Sequence, residues 1–496
     1  ISNEPSLVQA YIKRWIVALM IKEKAGVAHR QFGWLPDESG IIIGEKEVRA
    51  TEVIYSPPSQ STLGLTPMFQ EKGSFQVWKD VINYYATPGL ELRAFAFFMG
   101  FGTPLMRFTE LDGFMLNLVS RASGTGKTTI IHAINSIYGR PKELMLLPKD
   151  THNARMQRVG VMQNFAITMD EITNMEAGHM SQLIYDITMG RAKNRLKQHE
   201  NAERHNATRF QTGLITTSNR AVTDVLLSAK GFPDGEMKRI METKLEVDKA
   251  DATWSRQHFG QLLSNYGHAI IPYSQGILSQ MPRVIELLNS VRNKVDSAAK
   301  ITTSERYWSL MVSSAIAGGM IAKSLKLHDI PIQPVFDYAI QFIQVVRENS
   351  RKLMLDGDDF LGTFFANHYN EILIVNAKKD NRTGLETGPI KEPRGPLTMR
   401  YEPDTKMLFV SQSAYRSQCN KRSMNLEETL EVYKKSGALI MHGTDTFKVK
   451  RMFAGTSAAN NAGVRCLWFD TTKLEFFSEE ALLRDTPAGV QSTDSD

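Results

Sequence analysis

Cysteine is nearly missing from this sequence: Cys419 and Cys466 are the only two in 496 residues. Two thiols cannot form a disulfide framework or a metal site alone, so a stapled secreted fold is excluded and a reducing compartment, the cytoplasm, is expected. Long apolar runs are missing too. The longest, Trp15 to Ile21, falls short of the roughly 18 residues that a membrane span needs. Lys13, Arg14 and Lys22 flank it as they would an amphipathic helix. No membrane partner is expected, and no secretory signal is visible. The formal charge is only +6, which permits a polyanionic partner without requiring one. The second half has one tight acidic group, Asp356, Asp358 and Asp359, placed before Phe360 where acids cap a helix start. The first residue is Ile1 rather than Met, so a longer polypeptide with an upstream domain is an expectation.

What is present is a globular composition, 42% hydrophobic and 23% charged, in a chain long enough for two to four domains. Its centre is Met115 to His132, M-L-N-L-V-S-R-A-S-G-T-G-K-T-T-I-I-H, which reads as a buried strand, a glycine-bearing loop and the start of a helix. Ser123 to Thr129 (Ser123, Gly124, Thr125, Gly126, Lys127, Thr128, Thr129) form a phosphate cradle. Backbone N–H groups and the helix N-terminus surround a polyphosphate, Lys127 reaches its outer phosphates, and the Thr128 hydroxyl holds Mg²⁺. The pattern G-x-x-x-x-G-K-[ST] fails at one position, where Arg121 stands in place of glycine.

Phe165 to Met169 reads as a central strand ending in Asp170-Glu171, about forty residues beyond the loop. The first acid of such a pair holds the metal and the second polarises the attacking water. A short strand is expected at Glu143 to Pro148. After the helix Ala177 to Gly190 comes R-A-K-N-R-L-K-Q, where Arg191, Lys193, Arg195 and Lys197 alternate, so an extended strand puts four cations on one face. Such a row suits a phosphate backbone; the plain alternative is a solvated edge strand. The strand Arg209 to Thr216 would make the row one arm of a hairpin. Asn219 closes T-G-L-I-T-T-S-N, at a strand tip where it can touch the attacking water or terminal phosphate; the alternative is a helix cap. Arg239 starts a last strand and is a candidate finger for a neighbouring subunit's nucleotide, in competition with Lys238, Arg220 and Lys230.

Residues 251–350 show four helical apolar patterns. Beyond Asp356, two helices (Ser411 to Asn420, Leu426 to Ser436) are followed by strand-turn-strand over Ala438 to Met452 and a strand at Arg465 to Phe469, which suggests a winged-helix-like fold. Lys421-Arg422, Lys448, Lys450 and Arg451 are its phosphate candidates, with a solvated face as the alternative. The expected architecture is an N-terminal α+β domain (1–105), an α/β P-loop ATPase core of the ASCE/AAA+ kind (106–250), a helical domain (251–352), a winged-helix-like C-terminal domain (353–483) and a disordered tail (484–496).

Taken together, A-S-G-T-G-K-T-T, I-T-M-D-E, G-R-A-K-N-R-L-K and L-I-T-T-S-N resemble superfamily 3-like hexameric helicases. They resemble more closely the phage and plasmid P-loop ATPases found fused to primase or primase-polymerase domains. F-G-W before I-I-I-G, A-F-F-M-G-F-G-T-P-L and S-E-R-Y-W extend the resemblance over roughly residues 25–345. It implies Mg²⁺-dependent ATP hydrolysis, a homo-oligomeric ring, a hexamer, with nucleotide at subunit interfaces, and a basic hairpin gripping single-stranded DNA. The expected function is an ATP-dependent DNA helicase or translocase of phage or plasmid replication. The alternatives are an ATP-gated DNA-binding or loading scaffold and a packaging-type ATPase.

Overall fold

The computed structural model describes residues 4–22, 28–122, 124–191, 195–196, 203–204, 209–230, 234–246, 252–355, 360–377, 388–421, 426–454 and 463–484. The chain divides into two compact units, residues 1–229 with 234–346, and residues 230–233 with 347–496. The acidic group at 356–359, Arg422 and the tail beyond Arg484 lie outside the described residues.

The first unit opens with α1 (Pro5–Lys22), of which no residue is buried, so the expected amphipathic helix covers nothing in this chain. An antiparallel meander follows: β1 (Gly33–Trp34), β2 (Ile41–Ile43), β3 (Lys46–Val48) and β4 (Val53–Tyr55). The segment Pro36 to Gly40 joins its first pair, with Trp34 opposite Ile41. The Trp34 indole N–H donates to the Pro104 carbonyl at 2.8 Å, anchoring the meander to the segment before the phosphate-loop strand. Helix α2 (Phe75–Asn83) is capped by Ser74. In α3 (Glu91–Gly102) every residue after Glu91 is buried, the mark of a helix enclosed on all sides.

Next come β5 (Gly113–Val119), α4 (Lys127–Ser136), α5 (His152–Met162), β6 (Ile167–Met169), α6 (Ala177–Thr188), β7 (Arg195–Leu196), β8 (Glu203–Arg204), β9 (Thr212–Ser218), α7 (Val222–Lys230), α8 (Asp234–Met237) and β10 (Ile240–Lys244). Strands β10, β5, β9 and β6 form a parallel sheet in that order. Strand β9 lies between β5 and β6, so the tips of all three open on one edge, where ligands bind in open α/β sheets. The strand expected over Glu143 to Pro148 is reduced to one bridge, Leu146 to Met169. The Leu147 N–H turns away to the Asp150 carboxylate at 3.2 Å, and Pro148 has no N–H to continue a ladder.

Among the described residues there follow α9 (Ala252–Gly260), α10 (Ile270–Ser279), α11 (Met281–Ala299), α12 (Arg306–Ser324) and α13 (Ile332–Leu355), the first unit ending at Val346 within α13. Pro282 in the first turn of α11 marks the break from α10. Helix α12 crosses α3 at very short range: a Cβ on Gly318 would lie 2.5 Å from the Gly102 nitrogen. The segments expected as N-terminal, ATPase and helical domains therefore share one continuous core, running from Phe32 through Met115 to Val346.

The second unit contains α14 (Phe360–Asn367), β11 (Ile372–Ile374), β12 (Met399–Glu402), β13 (Met407–Ser411), α15 (Gln412–Lys421), α16 (Leu426–Lys435), β14 (Lys448–Arg451), β15 (Gly463–Asp470) and α17 (Glu479–Arg484). Its sheet order is β11-β12-β13-β15-β14. The expected helix pair is present and is followed by a hairpin, but the hairpin is β14 with β15, not a strand pair within Ala438 to Met452. Strand β15 also pairs with β13 and buries Cys466, Leu467 and Phe469, while the pairing within 438–452 is reduced to one bridge, His442 to Asp445, and Leu439 bridges Phe469 of β15. Of the phosphate candidates here, Lys450 is taken up by Glu402 at 2.7 Å and by the Phe409 ring.

Candidate nucleotide site

Strand β5 is buried along its length, and the Ser120 N–H continues its pairing by donating to the Ser218 carbonyl at 2.9 Å. The chain then leaves the sheet. Gly124 and Gly126 have φ of +78° and +84°, and a Cβ built on either would meet no atom within 4 Å. These two glycines thus face open space with backbone angles that an L side chain rarely adopts. Helix α4 starts directly after Gly126, which supplies no side-chain cap, so its first N–H groups are left to bind an anion. Ser123 lies outside the described residues, and Arg121 is exposed.

Three residues expected to act together converge on one ammonium. Lys127 Nζ donates to the Ser120 carbonyl at 2.8 Å and to Asn219 Oδ1, and it pairs with Glu171 Oε1 at 3.1 Å. A second cluster lies beside it. The Thr128 hydroxyl donates to Asp170 Oδ2 at 2.6 Å, and the Thr217 hydroxyl donates to Asp170 Oδ1. The same Thr217 oxygen accepts the Glu171 N–H at 3.3 Å, so one buried hydroxyl aligns both acids. Glu171 itself has φ +53°, unusual for a non-glycine residue, which costs on the order of 1–3 kcal/mol. Its Oε2 is buried and has no hydrogen-bond partner.

The donor set suits magnesium. Thr128 and Asp170 offer hard oxygens 2.6 Å apart. No cluster of three or more His, Cys, Asp or Glu exists among the described residues, so phosphate and water oxygens would complete the shell, the usual habit of Mg²⁺.

Sequence reasoning missed two residues here. Thr217 is one; the signal was the doubled threonine before Ser218-Asn219. Arg93 is the other, lying on α3 some thirty positions before the loop. It is 5% exposed, and its Nη2 donates to the Thr125 carbonyl at 3.1 Å and to the Glu246 carbonyl at 2.8 Å. It ties the phosphate loop to the chain just past β10, a link that no local pattern announces.

Arg239 is not brought to this chain's own loop. In the β10–β5 register Lys244 faces Val119 and Ile240 faces Met115, so Arg239 lies at the opposite edge of the sheet. Its guanidinium is 4.8 Å from the Tyr185 ring and 5.3 Å from the Tyr307 ring, and it donates to the Gly235 carbonyl at 2.6 Å. Arg220, exposed beside Asn219, is on the loop edge.

In the described part of the basic row, β7 pairs antiparallel with β8, and Arg191 bridges Arg209. Among the described residues the expected strand Arg209 to Thr216 meets the row at Arg209, while Thr212–Ser218 (β9) are committed to the central sheet on both sides. Arg191 is exposed; Lys193, Lys197 and the Arg195 side chain lie outside the described residues.

Residues 1–208 match a family described as a domain of unknown function (DUF927), which spans less than half of the chain. No curated protein matches. The fold is similar to that of SCCmec type IV Cch, an active helicase, at TM-score 0.67 and 17% identity over 97% of this chain and 87% of that one. The chain therefore has a helicase-like α/β fold. Among the described residues no helix is long and apolar enough to cross a membrane.

Proposed function

We propose that the chain is an ATP-dependent helicase or translocase that moves on single-stranded DNA, as part of a homo-oligomeric ring, in phage or plasmid replication. The observation that carries the reading is the meeting of Lys127, Glu171 and Asn219 at one edge of a parallel sheet, with Thr128 and Asp170 beside them. A helicase as a structural neighbour supports it.

Lys127 and the N–H groups of the loop and of α4 would bind the polyphosphate and offset charge as it develops in the transition state. Thr128 and Asp170 would hold Mg²⁺, which when bound neutralises phosphate charge. Glu171 would orient the attacking water and accept its proton at the unpartnered Oε2. Asn219 would sense the terminal phosphate through the amide that here accepts from Lys127. An arginine from a neighbouring subunit would finish the site. Arg239 can serve only after leaving two aromatic rings, whereas Arg220 is exposed on the loop edge. The β7–β8 hairpin, with Arg191, Lys193, Arg195 and Lys197, would grip the DNA backbone.

The test is steady-state ATP hydrolysis with and without single-stranded DNA, for the wild type and a variant with those four cations changed to Ala. DNA should stimulate the wild type and fail to stimulate the variant, and the wild type should displace a strand from a forked duplex. Hydrolysis indifferent to DNA in both proteins, with no strand displacement, would leave an ATP-gated scaffold as the correct reading.

A further inference from the structure

Strand β5 carries a polar residue at its centre, where both neighbouring positions across the sheet are also polar. Asn117 is fully buried. Its Nδ2 donates to Ser218 Oγ on β9 at 2.9 Å and to Glu242 Oε2 on β10 at 2.6 Å, and its Oδ1 accepts from the Thr216 hydroxyl at 2.7 Å. Central parallel strands are normally continuous apolar runs, and buried polar groups are tolerable only when hydrogen-bonded. Here every arm of the Asn117 amide is used.

Glu242 makes the second half of the device. Its Oε2 also accepts the Val222 N–H at 2.6 Å, and its Oε1 accepts the Thr223 hydroxyl at 2.6 Å and the Thr223 N–H at 3.4 Å. The carboxylate thus caps the first turn of α7 from another strand. Burial pushes the Glu242 carboxyl above its ordinary range, against the donors from Thr223, Asn117 and Val222 that favour its charged form.

Between the two anchored points lie only Asn219, Arg220 and Ala221. Ser218 is held at one end by Asn117, Val222 at the other by Glu242, and Asn117 and Glu242 are hydrogen-bonded to each other. The short turn that presents Asn219 to Lys127 is therefore fixed at both ends by a single residue pair from two different strands.

The geometry points to Asn117 and Glu242 as positioning residues that set the Asn219 amide against Lys127, and so govern turnover and not nucleotide affinity. The inference rests on the ATPase reading above. Among the described residues, the hydrogen bonds of the two side chains go to Ser218, Thr216, Val222, Thr223 and each other, and none to the phosphate loop itself.

The experiment measures kcat and KM for ATP together with the Kd of a non-hydrolysable ATP analogue, below the melting temperature of each protein. The proteins are the full chain as wild type, Glu242→Gln, Asn117→Asp and Ser218→Ala. Glu242→Gln should lower kcat at least about tenfold, since misplacing a catalytic group by an ångström is that costly, with analogue Kd within about threefold of wild type. Asn117→Asp opposes two carboxylates; it should be slow at pH 8 and recover part of its kcat, relative to wild type, at pH 6, where a protonated carboxyl can donate as the amide does. Ser218→Ala cuts only the Asn117 link and leaves the helix cap intact, so it reads the pair even if the other variants fail to fold; its kcat should fall about threefold.

Folded variants whose kcat stays within twofold of wild type, or whose only change is a weaker analogue Kd, overturn the inference while leaving the ATPase reading in place. A wild type that hydrolyses no ATP sinks that reading and takes this inference with it.

Discussion

Arg93 offers the sharpest check that the phosphate loop is held from behind by the helical layer. Its guanidinium is buried, and among the described residues it pairs with no carboxylate; its hydrogen bonds go to the carbonyls of Thr125 and Glu246 at 3.1 and 2.8 Å. Arg93→Met keeps most of the stem and removes both donors. Each carbonyl left unpaired costs about 1–3 kcal/mol, so global stability should fall by about 2–6 kcal/mol. The loop effect is smaller and more telling. Releasing the backbone at Thr125 adds about 1–2 kcal/mol of ordering that nucleotide must then supply, which raises the ATP-analogue Kd about 5- to 30-fold. Arg93→Lys, with a compact ammonium in place of a planar fork, should satisfy one carbonyl at best and fall between. Calorimetric titration of the analogue into folded protein, at a temperature well below each melting transition, separates the two effects. An Arg93→Met protein that is less stable but binds the analogue within twofold of wild type would refute the argument.

Two further outcomes are expected. Glu171→Gln should retain nucleotide binding and lose steady-state hydrolysis by about a hundredfold or more, because the amide cannot accept the proton of water; undiminished turnover would remove Glu171 from the mechanism. His328 should make the first unit acid-sensitive. It is fully buried, its Nε2–H donates to the Gly319 carbonyl at 3.0 Å, its Nδ1 accepts the Ile330 N–H at 3.2 Å, and its ring stacks on Phe98. Burial lowers its pKa from 6.5 to about 4, so the unfolded chain binds the extra proton and the fold does not. Stability should be complete above pH 6.5 and be lost as pH falls toward 4, by on the order of 3 kcal/mol, a loss that His328→Gln should flatten in pH-dependent melting.

Much of the site was legible because its residues lie in short local motifs whose chemistry is self-contained. Gly124, Gly126, Lys127 and Thr128 are spaced by the backbone path of a single loop, Asp170-Glu171 ends an apolar strand, and Asn219 follows a buried one. The elements of the central sheet could be read for the same reason: β5 and β9 are uninterrupted buried runs between turn residues. Arg239 was harder to place, since a position at the start of a strand does not say which edge of the sheet that start occupies. The β10–β5 register decides it, and puts the residue between Tyr185 and Tyr307. The domain divisions were likewise not readable from periodicity. Helical spacing shows that α3 and α12 each bury a face, but not that Gly102 and Gly318 bring them together into one core.

The sequence by itself set the expectation of which groups bind phosphate, metal and water, because those identities and their local spacing are written in short stretches of consecutive residues. Tertiary structure alone decided who holds them in place. Thr217 aligning two acids, Arg93 reaching the loop from α3, and Asn117 joined to Glu242 all depend on strand order and register. Those contacts join residues from 32 to 153 positions apart, and only packing a buried sheet against a buried helix makes such pairs neighbours.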